Sequence, residues 1–312
     1  MRFVLRRVGS AVILLFAASL LVYVLLSPAF GDVARNILGE NASEQQIVKL
    51  TEQLGLNQPV LVQYAHWLGH VFTGDLGTSY FTSQPVWDVI AARIPVTVSL
   101  VLLVTVFSGL IGFAVGVLAA VRRGWLDRIL QIATTVGDAL PAFIIALFLV
   151  TVVAVQWKLL PPTGYTPLAD SPVDWARSLI LPVVALTIVG IAGVAQQVRS
   201  ATIATLDRDF VRTLRSRGLS EKRIILVNVL RNASTTGLTA LAIQVVGILG
   251  GAVVVEQIFA LPGLGSLAIE ATARADLPII LGTVLAYVLI VVIVNLLVDL
   301  AVAWLNPKVR LS

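Results

Sequence analysis

Six stretches of about 20 mostly apolar residues constrain this 312-residue chain more than any other feature. They are approximately Val8–Leu26, Val96–Val121, Ile129–Val155, Leu179–Val198, Thr235–Val255 and Ile279–Leu305. A helix rises about 1.5 Å per residue, so each run matches the ~30 Å hydrocarbon core of a bilayer. Only 12% of the residues are charged and 58% are hydrophobic. Soluble domains carry roughly 25% charged residues, and so few charges cannot cover a water-facing surface. The expected fold is therefore all-α, a polytopic membrane protein with six transmembrane helices. Arg2, Arg6 and Arg7 precede the first run, as in a secretory signal. Its apolar stretch is longer than the roughly 7–15 residues of a signal core, so a retained span is expected.

With six spans, both ends of the chain share one side. That side holds the N-terminus, Arg122–Arg128, Arg199–Arg231 and the C-terminal tail, with sixteen of the 22 Lys and Arg residues; the other six lie opposite. This bias puts both termini in the cytoplasm. The net charge of +5 is thus read as topology, and no nucleic-acid partner is expected. The chain has no cysteine, so disulfides and thiolate chemistry are excluded.

The outer region from about residue 30 to 95 is long enough for structure of its own. Ser43 followed by Gln46 reads as a capping box, Gly55 as a stop, and Ile47, Leu50 and Leu54 as one apolar stripe. A short surface helix over residues 43–54 is expected. "GLNQP" and "GDLGTS" read as turns, and the loop from Gln156 to Arg177 as irregular.

Candidate chemistry is sparse. His66 and His70 have the i, i+4 spacing of a zinc pair, but the glutamate of the H-E-x-x-H motif and a third ligand are missing; packing beside Tyr64 and Trp67 is the expected role. No nucleophile elbow or phosphate-binding loop occurs, so the chain is not expected to be an enzyme, and ATP-driven work must come from a partner. Ionisable residues in or bordering the spans are Asp138, Glu256 and Asp299, with Gln244 and Asn295 as polar company. Intramembrane polar groups default to a functional reading, and Asp138, Gln244 and Glu256 are candidates for lining a pathway. Asp138 is the deepest, just before Pro141, where a kink would free backbone groups. Gly112 and Gly116, and Gly247, Gly250 and Gly251, read as helix-packing positions.

The stretch "DFVRTLRSRGLSEKRIILVNVLRNA", residues 209–233, is strongly cationic and lies between two apolar runs. Phe210, Val211 and Leu214 share one helical face, and Arg208, Arg212 and Arg215 another. Gly218 suits a left-handed residue ending that helix, Leu219 the contact after it, and Ser220 the cap of a second helix. Two readings remain open on the residues alone: a basic helix on anionic headgroups, or a docking knob for a protein.

"FVRTLRSRGLSEKR" and "VLRNA" resemble the EAA loop of the permeases of dipeptide/oligopeptide (peptide/nickel) ABC importers, whose form is approximately "YVRTARAKGLSE" and later "RNA". Leu214 and Ser216 replace the usual alanines, and Thr236 stands where proline is common. "GLNQPVLVQYAHWLGHVFTGDLGTS", "RIPVTVSL", "VVVEQIFALPGLG" and "NLLVDLAVAWLNPKVR" also resemble that family, in the same order, so the resemblance covers nearly the whole chain. It implies the type I ABC importer permease fold in a bacterial inner membrane, with half of a translocation pathway for short peptides. It implies a second homologous permease, two cytoplasmic ATP-binding subunits carrying ATP and Mg, an extracytoplasmic substrate-binding protein, and surrounding lipid. No cofactor is expected in this chain. Residues 199–233 would form a cytoplasmic coupling loop, with Phe210, Val211, Arg212, Leu214, Arg215, Arg217, Gly218 and Leu219 at the ATPase. Related systems carry nickel chelates, glutathione or haem. The rivals are an ion-coupled secondary transporter or channel subunit, which would need several buried acids, and an intramembrane hydrolase, which lacks its nucleophile and metal motifs.

Overall fold

The computed structural model describes residues 2–39, 41–122 and 124–305, with the side chains of residues 2–8, 11, 29–31, 126, 138 and 303–305 outside that description. Thirteen α-helices follow one another among these residues: α1 Arg2–Leu26, α2 Phe30–Leu38, α3 Glu44–Gln53, α4 Val60–Phe72, α5 Val86–Val121, α6 Trp125–Ala139, α7 Ala142–Leu149, α8 Pro172–Leu206, α9 Asp209–Ser216, α10 Glu221–Arg223, α11 Leu230–Ile258, α12 Leu264–Arg274 and α13 Leu277–Leu305. Two π-helical segments, Val150–Gln156 and Ile224–Val229, extend α7 and join α10 to α11.

Four helical rods are long and apolar enough to cross a membrane: Val86–Val121, Pro172–Leu206, Glu221–Ile258 and Leu277–Val302. They contain the second, fourth and fifth expected runs and most of the sixth. The third run is not one straight helix. Asp127–Gly137 and Ala142–Gln156 meet at 90°. Pro141 is the cause: it offers no N–H and drives Leu140 before it into extended backbone, ψ 120°. Counted as one broken span, the pair makes five. The first run lies on α1, whose described apolar part, Val12–Leu26, is shorter than a full span.

The chain divides into two compact units, Met1–Thr97 with Pro262–Val292, and Val98–Leu261 with Ile293–Ser312. In the first, Tyr23, Tyr64, Leu277 and Leu281 form a buried cluster with Trp67 and Tyr80 against it. Tyr64 stacks edge-on to both Phe16 and Tyr23, with centroids 5.8 and 5.5 Å away. Its hydroxyl pairs with Ser19 at 2.9 Å, and Tyr23 donates to Gln63 at 3.2 Å. The aromatic bodies are thus buried with their polar ends satisfied. On α3 the capping box at Ser43 and Gln46 forms, Gly55 follows with φ 68°, and Ile47 is the buried residue of the stripe.

Also in this unit, buried Asp276 sits just before α13. It accepts from the Ser79 hydroxyl at 2.5 Å and from the Tyr80 amide at 3.2 Å, pinning the 79–85 turn to the start of that helix. The α12 N-terminus is capped from a distance, since Thr97 accepts the Leu264 N–H at 2.8 Å.

In the second unit, Val194, Val198 and Leu241 form the seam of α8 with α11, and Phe113 and Val117 of α5 pack on it. Gly112 and Gly116 let α5 approach α8 closely. A Cβ would lie 2.8 Å from the Val194 Cβ at the first and 2.6 Å from the Ala195 carbonyl oxygen at the second.

Candidate functional site

The cationic stretch folds into a short helix, a break and a re-entry helix. Asp209 occupies the first turn of α9 and Arg215 the last, which suits the helix dipole. The break is a Schellman motif: the Leu219 N–H donates to the Leu214 carbonyl and the Gly218 N–H to that of Arg215. Gly218 takes φ 78°, the left-handed backbone this motif requires. Arg215 reaches over the break to Glu221 through two hydrogen bonds of 2.6 and 3.1 Å, and these hold the Arg215 guanidinium even more firmly protonated than usual. Ser220 stands at the N-cap position of α10, but its side chain makes no capping bond.

The apolar face of α9 turns toward its own chain. Val211 is fully buried with Ile224 and Val229 of the π-helical segment, and Leu206, Leu214 and Leu219 pack around them. Burying a valine or leucine contributes roughly 1.5–3 kcal/mol, so this small core fixes the angle between α9 and the re-entry helix. Val211 is therefore enclosed by its own chain, and Leu214 is half-buried against it. Phe210 keeps 37% of its surface exposed. Arg212, Arg215, Arg217 and Gly218 are exposed on the same segment. Arg212 lies 3.8 Å from Asp209, an exposed contact that contributes little.

Toward its C-terminal end, α8 carries Arg199. It binds Asp127 at the start of α6 through two bonds of 2.7 Å. Gln131 donates to the same carboxylate at 3.0 Å. Arg199 and Asp127 keep 25% and 14% of their side chains exposed. A bidentate, largely shielded pair of this kind is among the strong charge-assisted contacts. Nothing in the local sequence marks it, because its partners are 72 residues apart.

The pathway candidates separate. Gln244 borders a cavity of about 390 Å³ walled by Gly190, Gly193, Gly247, Gly251 and Gln197. Both polar atoms of its side chain are buried without a hydrogen-bond partner. The amide lies against Gly190, where a Cβ would collide with it. Gly247 and Gly250 have no atom within 4 Å of a would-be Cβ, and only Gly251 approaches a neighbour, Leu186 at 3.2 Å. The first two are thus not close-packing positions; Gly247 leaves room for the cavity. Glu256 is fully enclosed on α11 with 0% exposure, and it is not without a partner. Asp138 lies on α6 with its side chain outside the described residues.

His66 and His70 share α4 and border a second cavity, of about 250 Å³, in the first unit, with Trp67, Tyr23 and Tyr80. His70 Nδ1 is 3.7 Å from Asp75. Burial, and after it the charge of Asp276, pushes the Tyr80 hydroxyl up to about 12, so it stays a neutral donor at any physiological pH.

Residues 112–311 match the family described as binding-protein-dependent transport system inner membrane component, and residues 1–101 the N-terminal family of the same systems' membrane component. Over 98% of both chains, the protein is 38% identical to a putative peptide transport system permease protein of Brucella abortus. It is 33% identical, over 99% of both, to the dipeptide transport system permease protein DppB of Escherichia coli K12. Among solved structures, the inward-facing MetNI methionine ABC transporter superposes with a TM-score of 0.59 at 18% identity, covering 72% of this chain and 100% of that one. This last likeness carries the fold alone. The chain belongs to the family of inner-membrane components of binding-protein-dependent transport systems, and is a multi-pass permease of that family.

Proposed function

We propose that this chain is one of two homologous permease subunits of an ATP-driven importer for short peptides. It forms half of the pathway and takes its energy from two cytoplasmic ATPases that carry ATP and Mg. A substrate-binding protein delivers peptide to its outer side. The full-length similarity to peptide and dipeptide permeases supports the substrate class. In this reading both termini and residues 199–233 face the cytoplasm, residues 30–95 lie outside with the 43–54 helix on the surface, and the six runs are the spans.

One observation carries the coupling role: α9 is locked to the re-entry helix by a buried core of its own, yet leaves Phe210 and the arginines of the same short segment exposed. An exposed aromatic side chain on a short segment that also exposes Arg212, Arg215 and Arg217 suits an apolar pocket with acidic groups near it. Val211, Leu214, Gly218 and Leu219 hold that presentation in place, and Gln244 borders the pathway.

The test is assembly and uptake measured on the same membranes. Phe210→Asp would bury a carboxylate in the partner's pocket, at a cost of several kcal/mol. The variant should reach the membrane at normal levels, lose the ATPases on purification in mild detergent, and lose dipeptide uptake. Wild-type uptake and ATPase retention by Phe210→Asp would overturn the coupling assignment. Topology is tested separately with single cysteines in the naturally cysteine-free chain. Ser83→Cys should react in intact cells with an impermeant maleimide and Ser216→Cys should not; the opposite pattern inverts the orientation.

A further inference from the structure

In the second unit, the last turns of α5 and the start of the re-entry helix enclose a groove of about 390 Å³ that coupling does not explain. Ala114, Val117 and Val121 of α5 form one wall, and Ile225 and Leu230 the other. Its base is the Phe113 ring, which lies so close to α11 that a Cβ on Gly237 would collide with it. One polar residue borders the groove, Arg122. Arg122 is exposed just past the end of α5, and among the described residues no carboxylate pairs with it. On the facing segment the chain passes from exposed Lys222 and Arg223 to Leu226 and Val227, which are more than half exposed. That change marks the boundary between headgroups and hydrocarbon.

We propose that this groove is a binding site for one anionic phospholipid, with an acyl chain between α5 and the re-entry helix and its phosphate at Arg122. The walls favour a hydrocarbon chain over a peptide, whose amides would find no partners there. The lone guanidinium calls for an anion, and basic pockets between spans on the cytoplasmic side recognise anionic headgroups. The leaflet, cytoplasmic, rests on the topology proposed above; the lipid assignment rests on the groove itself. The consequence for function is direct, since the lipid would touch Ile225, in the segment that joins α9 to the spans.

The experiment is native mass spectrometry of the full importer, incubated with equimolar phosphatidylglycerol and phosphatidylcholine. Wild type should retain phosphatidylglycerol preferentially. Arg122→Gln should lower that preference about fivefold, the effect of one basic residue near an anionic surface, and Arg122→Lys should keep it. Ala114→Trp, introduced at an exposed position, should fill the groove and release the retained lipid whatever its headgroup. If that variant fails to assemble, Val121→Trp tests the same face from its other end. An unchanged preference in Arg122→Gln, or unchanged lipid occupancy in the tryptophan variant that assembles, overturns the site. So does equal retention of both lipids by wild type, which would mean bulk lipid only. None of these outcomes depends on ATPase docking or on peptide uptake, so the site and the coupling role can fail independently.

Discussion

Helix α8 meets its neighbours in two contrasting ways. Toward α5 and α6 it is closed: Gly112 and Gly116 bring the backbones together, and the Arg199–Asp127 pair ties down the end of the seam. Toward α11 it is packed along Val194, Val198 and Leu241 but open beside Gly193 and Gly247, with a cavity and an unpartnered glutamine amide. Both faces use glycine, with opposite results. At the closed face the missing side chain admits a neighbouring helix; at the open face it leaves space. Glycine content alone therefore does not distinguish a rigid contact from a passage. What sits opposite each glycine does.

The largest expected effect tests this contrast directly. Gly116→Val places new atoms against the Ala195 carbonyl oxygen and Val198, neither of which is a flexible chain end. Overpacking of this kind costs about 1–3 kcal/mol or more. The variant chain should be nearly absent from membranes by immunoblot, whereas Gly247→Val should accumulate close to wild type. Equal levels of the two would erase the distinction.

Next is Asp127→Asn, which leaves Arg199 without its counter-charge. We expect a loss of about 3 kcal/mol, toward the low end for a buried pair because Arg199 keeps some contact with water. It should appear as a lower thermal midpoint of the purified complex, and exchanging the two residues should restore part of it. A midpoint unmoved by Asp127→Asn would show that glycine contacts alone close the seam.

Gln244→Leu sharpens the contrast from the open side. It removes a buried amide that has no partner, so stability should hold or rise by about 1 kcal/mol. Dipeptide uptake should nevertheless fall, since Gln244 borders the proposed pathway. Unaltered uptake would remove Gln244 from that pathway.

The smallest effect concerns a glycine required for direction rather than space. No atom lies within 4 Å of a Cβ at Gly218, but its φ is 78°. Gly218→Ala should cost about 1 kcal/mol and Gly218→Asn less, because asparagine tolerates left-handed backbone. The ratio of ATP hydrolysis to uptake in the two variants measures it.

Where the determinants of structure are local, the sequence makes them legible. The capping box at Ser43 and the left-handed Gly218 can each be identified from fewer than ten residues, and both are present in the structure. The 90° break at Pro141 was foreshadowed only as a kink, because proline identifies the position of a bend but not its angle. Helix α12 was missed for a clear reason: Gly263 offers no capping side chain, and the cap comes from Thr97, far away in sequence. The inward turn of Val211 was hidden in the same way. Amphipathic spacing shows that a face is apolar, but not whether it will be covered by a partner or by its own chain. The Arg199–Asp127 pair and the cavity beside Gln244 depend on tertiary packing, which no motif spells out.

The small core under α9 has a mechanical consequence. A loop held only by its two ends would bend under load and absorb the motion of whatever pushed it. Here Val211, Ile224 and Val229 form a filled elbow, with Arg215 and Glu221 as an outer brace. Close-packed side chains compress very little. A displacement applied at Phe210 would therefore reach the first turn of α11 as rotation of a stiff bracket, with little lost to slack in between.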